Sequence, residues 1–292
     1  MGSVVDSKDE FVVLVTGFDA FRGEYPQNPS WEIAKLLPEF LPARPKTALE
    51  TSQTAPRVRI VVYPEPIRVN YQVVRKLVPT LWDGQTQEGS AFKPPPRIDL
   101  VLHIGMAGPR IHYALEKIGR RDGYALPDVD DLYLGDSPQD RTDPAWPWFG
   151  VPAALESDIA LDSVLERWRA TAPADSDLRI SLDAGRYLCD FIYFSSLAHL
   201  YRKSKETGGQ DVRYRRSRVA FLHVPAAASP ERVEAGRVLV VELIRALVDA
   251  EVEARAAIGP AAQKKPAAAT EAASAPAKKS SDGDKWYCSD DE

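Results

Sequence analysis

Apolar residues in this chain fall into short dense runs separated by longer stretches of helical periodicity. Phe11-Val12-Val13-Leu14-Val15-Thr16 is almost continuously apolar and rich in β-branched residues, the pattern of a strand buried on both faces. A glycine-punctuated loop, Gly17 to Gly23, follows. Asn28-Pro29-Ser30 then opens a helix, with Asn28 suited to the N-cap and Pro29 to the first helical position. Its apolar positions are Trp31, Ile33, Ala34, Leu36 and Leu37. A second strand is expected over Val58–Tyr63. Val73, Val74, Leu77 and Leu81 mark a helix over Val69–Trp82, in which Pro79 predicts a kink or an early end. A third strand, Ile98–Ile104, leads into Gly105-Met106-Ala107-Gly108-Pro109-Arg110, and a further extended stretch covers Tyr113–Ile118.

The periodicity breaks over 123–152, a polar, Pro- and Asp-rich segment that carries Trp146, Trp148 and Phe149. A loop of that length inside a compact domain is usually functional or disordered. Its aromatics predict docking, either as a cover over a site or as plain packing. A helix around Ile159–Trp168 restores order. The alternating run Leu178, Ile180, Leu182 then reads as a strand, Asp183-Ala184-Gly185 as a tight turn, and Arg186 to about Tyr201 as a helix. The basic stretch 202–218 reads as a solvated loop. Arg218–Pro225 is another buried-type strand, and Ser229-Pro230-Glu231 caps a long helix reaching about Arg255. Strands alternating with helices predict a single-domain α/β fold with a mostly parallel twisted sheet and helices on both faces. The expected limits are a flexible N-terminus over 1–10, the folded domain over 11–256, and a disordered Ala/Lys/Pro/Ser-rich tail over 257–292.

Composition narrows the function classes. The formal net charge of −5 lacks the basic excess expected of a nucleic-acid-binding protein. No apolar run is long enough to span a bilayer, and the polar start Met1-Gly2-Ser3-Val4-Val5-Asp6 lacks a secretory apolar core. The two cysteines, Cys189 and Cys288, do not make a disulfide framework, so a reducing cytoplasmic setting is expected. Oligomeric state is not legible from these features.

Cys189 is the chemically suggestive residue. It falls in the first turn of the helix that follows the 178–182 strand, where helix amides favour a thiolate over a thiol. A lone cysteine on an apolar helix is more often structural, so a base must be found. His199 lies ten residues further along the same helix, roughly 15 Å away, and is out of reach. His103 sits inside a strand pattern and suits a core imidazole; His112 lies in a turn. His223 stands at the carboxyl end of a buried strand. Ligands bind beyond the carboxyl ends of strands in open α/β sheets, so Cys189 and His223 are expected on one rim, with His223 the base. Position alone does not choose the orienting carboxylate among Glu116, Asp19, Asp122 and Asp183. The residues by themselves predict a cysteine hydrolase.

Four ordered blocks carry a resemblance. They are Val13-Leu14-Val15-Thr16-Gly17-Phe18-Asp19-Ala20-Phe21 with Asn28-Pro29-Ser30; His103-Ile104-Gly105-Met106-Ala107-Gly108-Pro109-Arg110 with Leu115-Glu116-Lys117; Asp183-Ala184-Gly185-Arg186-Tyr187-Leu188-Cys189-Asp190-Phe191; and Phe221-Leu222-His223-Val224-Pro225. Over about residues 11–255 the chain resembles the pyroglutamyl peptidase I (pyrrolidone-carboxylate peptidase) family. The resemblance implies an exopeptidase that removes N-terminal pyroglutamate from peptides without metal or cofactor, through a triad falling on Glu116, Cys189 and His223. It also implies Phe18 and Phe21 as substrate-binding residues. The chain departs from the family pattern in three places. Arg22 replaces the first glycine of Phe-Gly-Gly, Asp190 stands where prokaryotic members have Asn, and Leu126-Pro127 occupy the region of an arginine found in those members. The alternatives are a related cysteine hydrolase with a shifted N-terminal substrate, which Arg22 motivates, and a non-catalytic binding protein.

Overall fold

The computed structural model describes residues 10–257 apart from 22, 24, 44–55, 87–91, 109, 210–213, 216 and 217. In chain order the elements are β1 (Glu10–Thr16), α1 (Pro29–Ala34), β2 (Arg57–Val62), α2 (Tyr71–Asp83), β3 (Leu100–Ala107), β4 (Tyr113–Glu116), β5 (Ile118–Arg120), β6 (Ala154–Glu156), α3 (Leu161–Thr171), β7 (Leu178–Ser181), α4 (Leu188–Glu206), β8 (Val219–Pro225) and α5 (Pro230–Ala257). Six strands form one sheet in the order β2-β1-β3-β8-β4-β7, and β5 pairs with β6 in a separate antiparallel ribbon. β2, β1, β3 and β8 run parallel; β4 is antiparallel to β8 and parallel to β7.

The continuous apolar runs have the expected cause. Along β1, Val13 and Val15 pack into the cluster that holds α1, α3 and α5, while Leu14 packs into the cluster that holds α2 and α4. A strand covered on both faces needs apolar side chains at odd and even positions alike. Trp168 of α3 and Leu243 of α5 are fully buried on the first face, Phe191, Phe194 and Leu197 of α4 on the second.

Local signals also act as read. Asn28 caps α1, accepting the Ser30 N–H at 3.1 Å, with Pro29 in the first turn. α1 stops at Ala34, so Leu36 falls outside it and is exposed. α2 does not end early at Pro79 but continues to Asp83, where Gly84 closes it at φ 66°. Val78 and Leu81, buried on either side of the proline, hold that turn to the core, and the Thr80 hydroxyl donates to the Leu77 carbonyl at 2.7 Å. β3 continues three residues past Ile104, because Gly105, Met106 and Ala107 keep their pairing with β8.

The long 123–152 segment docks by packing. Trp148 meets Phe191 and Phe194 of α4 at ring-centroid distances of 5.1 and 4.9 Å, and Asp136 pairs with Arg75 of α2 at 2.6 Å. Phe149 stays outside, 41% exposed. The solvated-loop reading of 202–218 needs correction. α4 runs on through Glu206, Arg202 donates to the Trp146 and Pro147 carbonyls, and Arg218 is buried against the Asp99 carbonyl at 3.2 Å. Burial holds the Arg218 guanidinium down to about 10. Among the described residues no helix is long and apolar enough to cross a membrane. Glu10 already belongs to β1. Residues 1–9, Arg22 and the tail with Cys288 lie outside the described residues.

One glycine decides how closely the first loop meets α1. A Cβ on Gly17 would lie 2.7 Å from the Trp31 Cα and 2.8 Å from the Ser30 carbonyl oxygen, both backbone atoms. Gly17→Ala is therefore expected to cost about 1–3 kcal/mol by overpacking. Thermal unfolding of the variant checks this, and an unchanged midpoint would show that the loop can give way.

Candidate active site

β7 delivers the chain to a turn in which Gly185 takes φ 85° and the Asp183 carboxylate accepts the Gly185 N–H at 3.1 Å. α4 then begins at Leu188 after an extended Tyr187 that supplies no side-chain cap. The first amide with an intrahelical acceptor is that of Phe191, which donates to the Tyr187 carbonyl at 2.9 Å. The N–H groups of Leu188, Cys189 and Asp190 thus point out of the helix start without intrahelical partners. Cys189 lies among them, half-buried.

Its sulfur sits directly over β3. A Cβ built on Gly105 would lie only 2.8 Å from the Cys189 Sγ. Gly105 is the register partner of His223 on β8. Paired residues in a sheet point to the same face, so sulfur and imidazole share one face of neighbouring strands.

The common rim of carboxyl ends expected for Cys189 and His223 does not form. β7 runs opposite to β8, so the carboxyl ends of the two strands lie at opposite edges. Ser181, at the end of β7, is level with Glu116 and so with Phe221, while Cys189 is level with Gly105 and His223. Residues 182–187 lead back along the sheet before α4 starts. That returning loop brings the candidate nucleophile level with His223.

Of the four carboxylates left open by position, Glu116 meets His223. It pairs with Phe221, two residues before His223 and hence on the same face, and its Oε1 lies 2.7 Å from His223 Nδ1. A carboxylate only accepts, so Nδ1 carries the proton and Nε2 is left as the basic nitrogen. The Tyr193 hydroxyl of α4 donates to the Glu116 carbonyl at 3.0 Å and fixes helix to strand. Asp19 instead accepts the Ala20 N–H, Asp122 pairs with Arg121 and Arg141, and the Asp183 carboxylate pairs with Arg186 and Arg120.

The remaining histidines are accounted for. His103 is fully buried between the Thr16 and Ser196 hydroxyls at 2.7 and 2.9 Å, and burial pushes it down to about 3. His199 sits 3.1 Å from Asp83 of α2. His112 is held below its ordinary value by burial and by Arg179 and Arg110. Phe21 packs edge-on against Tyr187 at 5.5 Å, beside the start of α4, whereas Phe18 lies 2% exposed in the core beneath the loop.

One residue of the site was quoted in the sequence blocks without a role. Arg110 donates to Glu116 Oε1 at 2.6 Å and, through its other terminal nitrogen, to the Asp183 carbonyl at 2.8 Å. Six residues separate it from Glu116, but nothing in the spacing reveals that it folds back over the carboxylate.

Electrostatics at Cys189 oppose the thiolate expectation. Burial, then the charges of Glu116 and Asp190, push the Cys189 thiol up to about 12. The helix start does not overcome them. Asp190 is itself pushed up to about 7 by burial. Its Oδ1 accepts the Arg120 N–H at 3.1 Å, and its Oδ2 lies 3.3 Å from the Tyr124 hydroxyl. That hydroxyl donates to Oδ2, and this bond, the Arg120 N–H and the Arg186 charge all favour the carboxylate; burial outweighs them.

No family model matches the chain. Among known proteins it is similar to pyroglutamyl-peptidase 1 of Rattus norvegicus, at 32% identity over 243 residues covering 82% of this chain and 92% of that one. It is similar to pyroglutamyl-peptidase 1 of Homo sapiens at 30% identity over the same shares. Among solved structures it is similar in fold to the pyrrolidone carboxyl peptidase from Thermococcus litoralis. That match has a TM-score of 0.57 and 18% identity, and it covers 84% of this chain and 96% of that one.

The raised Asp190 value makes a stability prediction. The folded value of about 7 lies above the ordinary carboxyl value of 3.8, so between the two the folded state holds a proton that the unfolded chain has lost. Stability contributed by Asp190 is full below the lower value and falls as pH rises to the upper one. Asp190→Asn, which keeps a donor and an acceptor, is expected to remove this loss, on the order of 2–4 kcal/mol between pH 4 and 8. Denaturant unfolding of both proteins at those two pH values checks it.

Proposed function

The chain belongs to the pyroglutamyl-peptidase 1 family, and from that membership we propose that Cys189, His223 and Glu116 act as nucleophile, general base and orienting carboxylate in the removal of N-terminal pyroglutamate from peptides. One observation carries the assignment of residues. The Cys189 sulfur lies over Gly105, the register partner of a histidine whose Nδ1 is bonded to a buried glutamate.

The reaction follows from these placements. Cys189 rests as a neutral thiol, so attack on the pyroglutamyl carbonyl is coupled to transfer of its proton to His223 Nε2. Glu116 holds the ring by its Nδ1–H and stabilises the imidazolium that forms. The carbonyl oxygen gains negative charge and is received by the unpartnered amides at the start of α4. The imidazolium then protonates the departing amine of the shortened peptide, leaving a thioester on Cys189. Water, deprotonated by His223, attacks that thioester; pyroglutamate leaves and the thiol regains its proton. No step requires a metal or an organic cofactor.

The lactam ring is uncharged and flat, so its pocket is expected to be apolar with a few amide-directed hydrogen bonds. Phe21, stacked edge-on with Tyr187 beside α4, supports a role as a wall of that pocket. Phe18, buried beneath it, supports a role in holding the loop. A reduced thiol is needed throughout, which supports a cytosolic site of action.

The test is hydrolysis of a fluorogenic pyroglutamyl amide, with a prolyl amide beside it. Only the first is expected to be cleaved. Cys189→Ser and His223→Ala are each expected to lower kcat by about 10³-fold or more, and Glu116→Gln by about 10²-fold or more. Cleavage that survives loss of Cys189 would sink the assignment.

A further inference from the structure

We propose that Arg110 is a positioning residue for the reaction, binding the buried Glu116 carboxylate to the loop that delivers the nucleophile and supplying the positive charge that this carboxylate needs. The proposal rests on the assignment of Glu116, Cys189 and His223 made above.

The geometry is specific. One guanidinium nitrogen of Arg110 donates to the same Glu116 oxygen that receives His223 Nδ1, at 2.6 Å, and the other donates to the Asp183 carbonyl at 2.8 Å. The Glu116 side chain is 0% exposed and that of Arg110 10%. The second carboxylate oxygen, Oε2, is buried without a hydrogen-bond partner. All of the bonding given to this carboxylate therefore converges on one oxygen, where base and arginine meet. Asp183 stands at the turn six residues before Cys189. A planar fork can hold both acceptors at once; an ammonium group presents a single point charge.

The charges give the arrangement its consequence. A carboxylate with no solvent needs a cation or it takes up a proton. Among the described residues, Arg110 is the permanent cation in contact with Glu116. The other titratable groups whose charges reach the pair are Cys189 and Tyr193 from α4, each in turn acted on by Asp190, and His112 from the β3–β4 connection. None of these supplies a lasting cation in contact with Glu116. Without Arg110 the uncompensated anion would draw a proton onto the His223–Glu116 couple and remove the base from service over a wider pH range. The same fork fixes the turn from which α4 starts, and hence the height of the sulfur over Gly105.

Two pH profiles of the full-length protein test this: kcat/KM for a pyroglutamyl amide, and the rate of Cys189 alkylation by iodoacetamide. Arg110→Gln is expected to raise the acid limb by at least about 0.5 pH unit in both and to lower kcat about tenfold or more. Arg110→Lys is expected to keep the acid limb of the parent while kcat stays reduced, because charge returns without the bridge. An acid limb in the Gln variant within 0.5 unit of the parent overturns the proposal, whatever happens to kcat. If the Gln variant fails to fold by circular dichroism, the Lys variant decides. A reduced kcat with the parent limb supports the proposal; parental kcat or a shifted limb overturns it. The alkylation arm needs no substrate, so a failed role for Arg110 stays distinguishable from a failed pyroglutamyl assignment.

Discussion

A carboxylate shut away from water governs this site. Glu116 sits on a strand flanked by β8 and β7, beneath α4, and its charge is tolerated only because a guanidinium and an imidazole N–H share one of its oxygens. Each of its three neighbours comes from a different part of the chain. Arg110 comes from the connection before β4, His223 from β8, and Tyr193 from α4, bonded to the Glu116 carbonyl. Removing any one would leave a buried polar group unsatisfied, so the carboxylate is also what holds helix, strand and connection in one arrangement. Chemistry and fold are specified by the same contacts.

The sheet's change of direction makes this arrangement possible. β3 and β8 run one way, β4 and β7 the other, and β8 lies between β3 and β4. A chain leaving β3 must therefore pass over the carboxyl end of β8 before turning down into β4. That end carries His223, and the passing connection carries Arg110. A wholly parallel sheet would have brought β4 up from the opposite edge and placed nothing of the connection above the base. The reversal thus sets an acidic residue of a descending strand beside a basic residue of an ascending one, with an arginine from the bridge between them.

Much of the fold could be read from local pattern. The two-sided apolar run of β1, the Asn28 cap and the glycine turn before α4 are all local signals, and each acts where it was read. Strand direction is different, because it depends on which strands pair, and pairing is a long-range choice that periodicity does not encode. That is why the common rim expected for Cys189 and His223 is contradicted by the sheet, although the fold places the two on one face at one level. Pro79 misled for a related reason. Its intrinsic cost to a helix is real, but buried Val78 and Leu81 hold the turn through tertiary packing. Glu116 was separable from Asp19, Asp122 and Asp183 only by the resemblance, since its role depends on register with Phe221 across two strands. Arg110 had no sequence signal at all; only the folded connection brings it back over Glu116.

The state of the nucleophile shows how magnitudes settle a conflict between two sound local rules. A helix N-terminus is worth roughly 0.3–1 kcal/mol to an anion, less than about one pKa unit. Against it stand burial and two carboxylates, which carry the Cys189 thiol from 9.0 to about 12. Burial wins, and the helix start is left with unpartnered amides that face no thiolate. Those donors are free for an anion that arises only during reaction. A resting thiolate would already occupy their field, and its attack would move charge from one stabilised place to another. In the proposed reaction a resting thiol gives its proton to His223 while the new charge grows on the substrate oxygen, so the helix amides would act on the transition state more strongly than on the ground state. The burial that makes Cys189 a poor thiolate is, on this argument, what directs the helix start toward the oxyanion.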